Sequence, residues 1–295
     1  MGSWPGFIPR RKLQSCASPT EIALARYSGR TPTQPSRRKR STLHYAMPEN
    51  TPYRRPDLLR LSYDDYRALP AIANSDLSKL RDALNGRPRR ESGGNSALSF
   101  GTAFHTALLE PDQYVPSYPV VNDTLVWWLV EGVRLRDDMR EMIDNGVAEP
   151  SCVFTEPITG TMCKLRADLV YNVPGQPYTI IDFKTTIARD YHHFVAQCSG
   201  YDYDRQAAFY SDALRAERFL LVGVQKVEPF HVFVYEVPPH MLEEGRAKYL
   251  RLLRLLDPSK LPDYLHPSVR DVVLELGHTP PEQEDDPATT PDTPA

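Results

Sequence analysis

The sequence predicts an α/β protein in which a mixed central sheet is flanked by helices. Three observations predict it. Segments with helical periodicity and short runs of β-formers alternate in the order ααα-βββ-α-ββ-α. One run, YTIIDFKTT (178–186), is apolar enough to be a buried central strand. The prolines crowd towards the two ends, which sets a folded centre between biased flanks.

The elements follow in chain order. Asn74 or Ser75 caps a helix that carries Leu77, Leu80 and Leu84 on one face. A basic loop (85–96) leads to FGTAFHTALLEP, a short helix stopped by Pro111. Leu125, Trp128, Leu129, Val133, Met139 and Ile143 recur at helical spacing as one helix that ends at Asn145-Gly146. SCVFTE, TMCKLRADLVY and YTIIDFKTT read as three strands, with NVPGQP turning the last two. A helix spans about 203–216, and FLLVGVQKV with FHVFVYEV forms a hairpin turned at Glu228-Pro229. A last helix, about 239–256, buries Leu242, Tyr249, Leu252, Leu253 and Leu256.

Three regions result: a basic Pro/Ser-rich arm (1–56), one folded domain (57–276) and an acidic Pro-rich tail (277–295). Residues 1–46 carry nine Arg/Lys against Glu21 alone, a balance of +8, and residues 277–295 carry five acids and no Arg or Lys. With −3 overall, residues 47–276 hold −6, so the centre does not grip nucleic acid by net charge. The arm reads as a DNA-attracting tail, a transit peptide, or sequence upstream of a natural start at Met47; the last is favoured. The start lacks a secretory h-region, and no apolar run reaches the roughly 18 residues of a membrane span. Cys16, Cys152, Cys163 and Cys198 form no CxxC pair, which excludes zinc-ribbon and iron–sulfur readings and suits reduced thiols.

The chemistry concentrates between 166 and 186. On a strand, Asp182 and Lys184 share a face, while Ile181 and Phe183 point to the other. Two charges in so apolar a strand either neutralise each other or surround something that needs them. Alone, the pair is an ordinary ion pair. Asp168, on the preceding strand, alters that, because a hairpin brings both carboxylates to one hard cation such as Mg²⁺. Water activated there, with Lys184 beside it, suits attack on a phosphodiester. His105 sits in Gly101-Thr102-Ala103-Phe104-His105, where small residues would let a helix approach the sheet. Gln206 and Tyr210 are neighbours on one helix face. Taken singly, these are a core histidine and an amphipathic helix. Glu156 reads as an exposed strand-end acid, with a ligand role as the alternative.

His105, Asp168, Asp182-Phe183-Lys184 and Gln206…Tyr210, in that order, resemble the motif series of PD-(D/E)XK (restriction-endonuclease-like) nucleases of the RecB/lambda-exonuclease branch. The words YDDYRALPAIANS (63–75), FGTAFHTALLEP (100–111) and GYDYDRQ (200–206) resemble the exonuclease VIII (RecE) type more narrowly, over about 61–256. The resemblance implies a Mg²⁺ site, with Mn²⁺ as an alternative, ligated by His105, Asp168, Asp182 and the Phe183 carbonyl. It implies Lys184 as the catalytic lysine, and Gln206 and Tyr210 either holding DNA or ordering the active-site lysine and base. It further implies an oligomeric 5′→3′ exonuclease on double-stranded DNA ends, a single-strand annealing partner in recombination, and a bacterial or phage-encoded cytoplasmic setting. Ala167 replaces the proline of the motif, and the linker NGRPRRESGGNSALS departs from the family. Its Arg87, Arg89 and Arg90 are candidate phosphate contacts, with a solvated loop as the commoner outcome. An endonuclease on the same fold and a catalytically silent DNA-binding relative are the rival readings.

Overall fold

The computed structural model describes residues 55–87, 96–117, 120–256 and 267–277, all within one compact unit, Tyr53–Ala295. The arm before residue 55, Arg89, Arg90 and the tail after 277 lie outside the described residues. In chain order the helices are α1 (Tyr63–Ala68), α2 (Asn74–Leu84), α3 (Ser96–Leu109), α4 (Asp123–Arg134), α5 (Asp137–Asn145), α6 (Tyr191–Gly200), α7 (Tyr203–Leu214), α8 (Pro239–Arg254) and α9 (Pro267–Gly277). The strands are β1 (Ile72–Ala73), β2 (Val147–Ala148), β3 (Ser151–Thr155), β4 (Met162–Arg166), β5 (Leu169–Tyr171), β6 (Thr179–Thr186), β7 (Arg218–Gln225) and β8 (Val232–Glu236).

The architecture is α/β with mixed sheets between helices, but there are two sheets rather than one. A five-stranded sheet runs β2-β5-β6-β7-β8 and a three-stranded one runs β1-β4-β3. YTIIDFKTT is β6, the middle strand of five, parallel to β7 and antiparallel to β5. TMCKLRADLVY, expected as one strand, is two. It leaves the smaller sheet at Arg166 and enters the larger at Leu169, with Ala167-Asp168 at the crossing. Its partner bends at the same level, between β2 and β3, at Glu149-Pro150. The Ala167 N–H donates to the Pro150 carbonyl (3.0 Å) and the Glu149 N–H to the Asp168 carbonyl (2.8 Å), so the two bends are tied together. Pro150 has no N–H to continue a ladder, and Glu149 adopts φ 50°, which locates the corner here.

Both faces of the larger sheet are covered. Ile181, Phe183, Leu220 and Val222 pack under Phe104, Leu108, Val126 and Val130 of α3 and α4. Ile180, Phe219 and Leu221 pack on Phe209, Leu214, Tyr249 and Leu253 of α7 and α8, and α2 and α9 extend that core. Each such fully buried apolar side chain contributes about 1.5–3 kcal/mol. Among the described residues no helix is long and apolar enough to cross a membrane.

Several local expectations are corrected. The cap of α2 works in reverse: Asp76 at its third position accepts from the Ala73 N–H (2.9 Å), and Asn74 is used elsewhere. The long helix of 125–143 breaks after Arg134. Arg136 is extended and pairs with Asp138 (2.7 Å), which starts α5 on a new register. The phase of α4 leaves Trp128 65% exposed instead of inward. Three helices escape the sequence pattern, α1, α6 and α9. Among the described side chains α1 buries Tyr66 alone, and α6 and α9 each bury a sparse i, i+4 pair, Phe194 with Cys198 and Val269 with Val273.

Candidate active site

The alternation of β6 does what the sequence requires of it. Ile181 and Phe183 join the core beneath α3 and α4, and Asp182 and Lys184 emerge on the opposite face beside α7. Asp182 is only 1% exposed, and both of its oxygens are engaged. Gln206 Nε2 donates to Oδ1 (2.6 Å), and the Lys184 ammonium lies 2.6 Å from Oδ2. Burial lifts the Asp182 carboxyl to about 6 against the pull of Lys184, and the charge of Asp168 adds to the rise. Burial disfavours the Lys184 ammonium, but two carboxylates outweigh it and hold its pKa above the ordinary lysine range. The Tyr203 ring closes the other side, its centroid 5.0 Å from Nζ.

Asp168 lies one step beyond the Leu169–Ile181 pair, which sets it across from Asp182 on the neighbouring strand. Its Oδ2 accepts from the Phe183 N–H (2.7 Å), and its Oδ1 faces His105 Nδ1 at 3.5 Å. His105 reaches down from α3, its Nε2 2.9 Å from the Phe183 carbonyl oxygen. That oxygen accepts only from Nε2–H, so a neutral His105 turns its Nδ1 lone pair towards Asp168. The Phe183 carbonyl, expected as a metal ligand, here accepts from the histidine and orients it.

The sequence reading missed Glu149. His105, Glu149 and Asp168 each offer a ligand atom within 4.8 Å of the other two. Asp182, whose oxygens are taken by Lys184 and Gln206, stands beside this trio. Glu149 thus joins His105 and Asp168 as a candidate ligand, while Asp182, also expected as one, is paired here with Lys184 and Gln206. Its place follows from the register of the hairpin: Ser151 pairs with Arg166, which sets Glu149 opposite Asp168. Arg166 Nε donates to Glu149 Oε2 (2.7 Å) and fixes the carboxylate. The positive φ of Glu149 costs roughly 1–2 kcal/mol. Strain of this kind concentrates where function holds it.

These residues fit a divalent cation. Burial and the neighbouring Asp168 charge push Glu149 up to about 7. Burial opposes protonation of His105, yet Asp168 outweighs it and raises the imidazole to about 9. A cation held by the trio would offset the charge of these two closely spaced carboxylates. Two carboxylates and an imidazole are suitable donors for Mg²⁺ or Mn²⁺.

The other expected residues divide. Gln206 orders Asp182. Tyr210 is buried and its hydroxyl donates to the Arg166 carbonyl (3.1 Å), which braces the approach to Asp168. Arg87 is exposed beside Asp82 (3.6 Å) at the end of α2. Glu156 is neither exposed nor a ligand; it is buried and accepts from the Ile158 and Thr159 N–H groups to close the β3–β4 turn. The GYDYDRQ segment is a clamp. Asp202, at φ 56°, accepts from Arg81 (2.6 Å) and Lys248 (3.0 Å), and Arg205 donates to Asn74 (2.9 Å) and Ser78 (2.5 Å). It locks α7 to α2 and α8, one residue before Gln206.

A β-sheet that brings an Asp, a DxK strand and a helix histidine to one point, with a glutamine behind them, defines a PD-(D/E)XK-type fold and site. Residues 77–260 match the PDDEXK-like domain of unknown function (DUF3799), and the chain belongs to that family. No curated protein matches it. Among solved structures, it is similar to a Eubacterium rectale protein described as a "putative exonuclease", at 17% identity and TM-score 0.48, covering 67% of this chain and 86% of that one. It is also similar to the protein SSO0001, at 14% identity and TM-score 0.27, covering 63% of this chain and 96% of that one.

Proposed function

We propose that this chain is a metal-dependent deoxyribonuclease that degrades duplex DNA from its ends. The observation that carries the reading is the convergence of His105, Glu149 and Asp168 beside a buried Asp182–Lys184 pair. A divalent cation on the trio would lower the pKa of a water and offset charge on the scissile phosphate. The chain's own residues do the rest. Lys184, kept protonated by Asp182 and Asp168, presents a fixed positive charge to the phosphate oxygens. Gln206 and Tyr203 hold that pair in register from two sides. His105 is aimed by the Phe183 carbonyl, and Asp168 by the Phe183 N–H, so the backbone of one residue aligns both.

The finer reading is a processive 5′→3′ exonuclease that uses Mg²⁺, leaves 3′ single strands, and works in the bacterial or phage-infected cytoplasm with a single-strand annealing protein. A homo-oligomer that encloses the duplex accounts for end dependence. The test is digestion of linear against covalently closed duplex, labelled at one 5′ or 3′ end, with and without chelator. Loss of linear DNA alone, abolished by chelator, is expected. Efficient cutting of closed circles favours the endonuclease, and release of the 3′ label first reverses the polarity.

Two further outcomes are expected. Glu149→Gln weakens Mn²⁺ binding by at least about tenfold in calorimetry; unchanged affinity removes Glu149 from the site. We also propose that residues 57–276 are the catalytic unit. A chain that begins at Met47 then folds and cleaves at the full-length rate, and a large drop in rate makes the arm part of the enzyme.

A further inference from the structure

We propose that Tyr201 is a stacking platform for a nucleobase of the strand being cut, built against the ring that covers the lysine. The inference rests on the nuclease reading above and adds a base subsite to it. The inner ring, Tyr203, is half-buried against Lys184 Nζ. The outer ring, Tyr201, leans on Tyr203 with centroids 5.6 Å apart and planes at 35°, and is 60% exposed. Two aromatic rings thus lead from the ammonium to solvent, and the second is left without a cover among the described residues.

An exposed tyrosine is by itself unremarkable, but this one is held still. Tyr201 ends α6, and its N–H donates to the Gln197 carbonyl (3.0 Å). The next residue, Asp202, is fixed in the left-handed region by Arg81, Lys248 and Arg205. A ring on so rigid a junction loses little conformational freedom when something stacks on it. A base suits this ring for two reasons. Every base has a π-face, and stacking on an aromatic side chain is worth about 1–3 kcal/mol per base whatever the sequence. The ring also stands one ring away from the group that meets the phosphate, and in a nucleic acid a base is always tethered close to its phosphate. Sequence-independent stacking is what degradation of arbitrary DNA needs.

The full-length chain is titrated, in chelator so that nothing is cut, with short oligothymidylate and with an all-abasic oligomer of equal length. Fluorescence anisotropy reads the affinities. Tyr201→Ala is expected to weaken oligothymidylate binding about tenfold and to leave binding of the abasic oligomer unchanged. Tyr201→Phe keeps the ring and is expected to bind as wild type. Because the side chain is exposed and its backbone bonds do not involve the ring, both variants should unfold at the wild-type denaturant midpoint. Equal oligothymidylate affinity in Tyr201→Ala and wild type overturns the proposal. So does an equal loss on both oligomers, or no binding by the wild-type chain. A base-dependent loss in a chain that cleaves no DNA with Mg²⁺ would sink the nuclease reading and leave the base subsite standing.

Discussion

Lys184→Ala and Asp182→Ala each lower the rate of DNA cleavage by about 10²–10³-fold or more, and DNA binding stays measurable. The size follows from where the charge sits. The Lys184 side chain is 19% exposed, and its ammonium is held by Asp182 and by the Tyr203 ring. It needs no reorganisation as charge builds on the phosphate. Removal of one such pre-aimed group typically costs about 2.7–4 kcal/mol in the transition state. Binding survives because most of the affinity of a protein for DNA comes from many phosphate contacts.

A loss of folding could imitate this result, and the pair itself supplies the control. Without Lys184, Asp182 is a buried carboxylate with Gln206 as its remaining partner, and breaking a buried pair costs about 3–5 kcal/mol. The Asp182 carboxyl is already raised to about 6, so proton uptake limits the damage. Asp182→Asn with Lys184→Met removes both charges and should restore much of the denaturant midpoint while cleavage stays lost. Wild-type turnover in either single variant would take these residues out of the mechanism.

The parts of the fold legible in sequence are those set by local pattern. β6 announces itself because a parallel, doubly covered strand must be apolar throughout, and the two charged residues stand out against it. The break between β4 and β5 is invisible in TMCKLRADLVY, which is β-favouring along its length. It is imposed from outside, by Pro150 and the corner on the partner strand. Glu149 was hidden for the same reason: its role comes from cross-strand register at that corner, and Glu-Pro carries no motif. Tyr203 and Tyr201 sit inside a segment noticed for its resemblance, yet nothing in their spacing says that one ring covers Lys184. Gly101, in the small-residue run before His105, is where the sequence suggests close approach. A Cβ there meets only the Thr185 hydroxyl at 3.9 Å, an ordinary contact. The tightest approach among the described glycines lies at one with no motif around it.

That glycine is Gly245, and Gly245→Ala is expected to destabilise the protein by about 3 kcal/mol or more, at the upper end of overpacking changes. A Cβ there overlaps the Asp204 carbonyl group outright and comes within 2.9 Å of the Arg205 nitrogen. These are backbone atoms in the first turn of α7, which no rotamer change can move. Alanine gains roughly 1 kcal/mol of helix propensity over glycine inside α8, so propensity alone predicts the opposite sign. Sterics should win, because the clamp of Asp202, Asp204, Arg205 and Lys248 leaves α7 no direction in which to yield. Gln206 follows Arg205 directly, so a shift of this turn also loosens its 2.6 Å bond to Asp182. Gly245→Ala should therefore lose cleavage along with stability, whereas Gly101→Ala, inside α3 with room around it, stays within about 1 kcal/mol of wild type. Urea unfolding of the two variants side by side checks the assignment. A Gly245→Ala protein as stable as wild type would mean that α7 and α8 do not pack this closely, and the support behind Gln206 and Asp182 would have to be sought elsewhere.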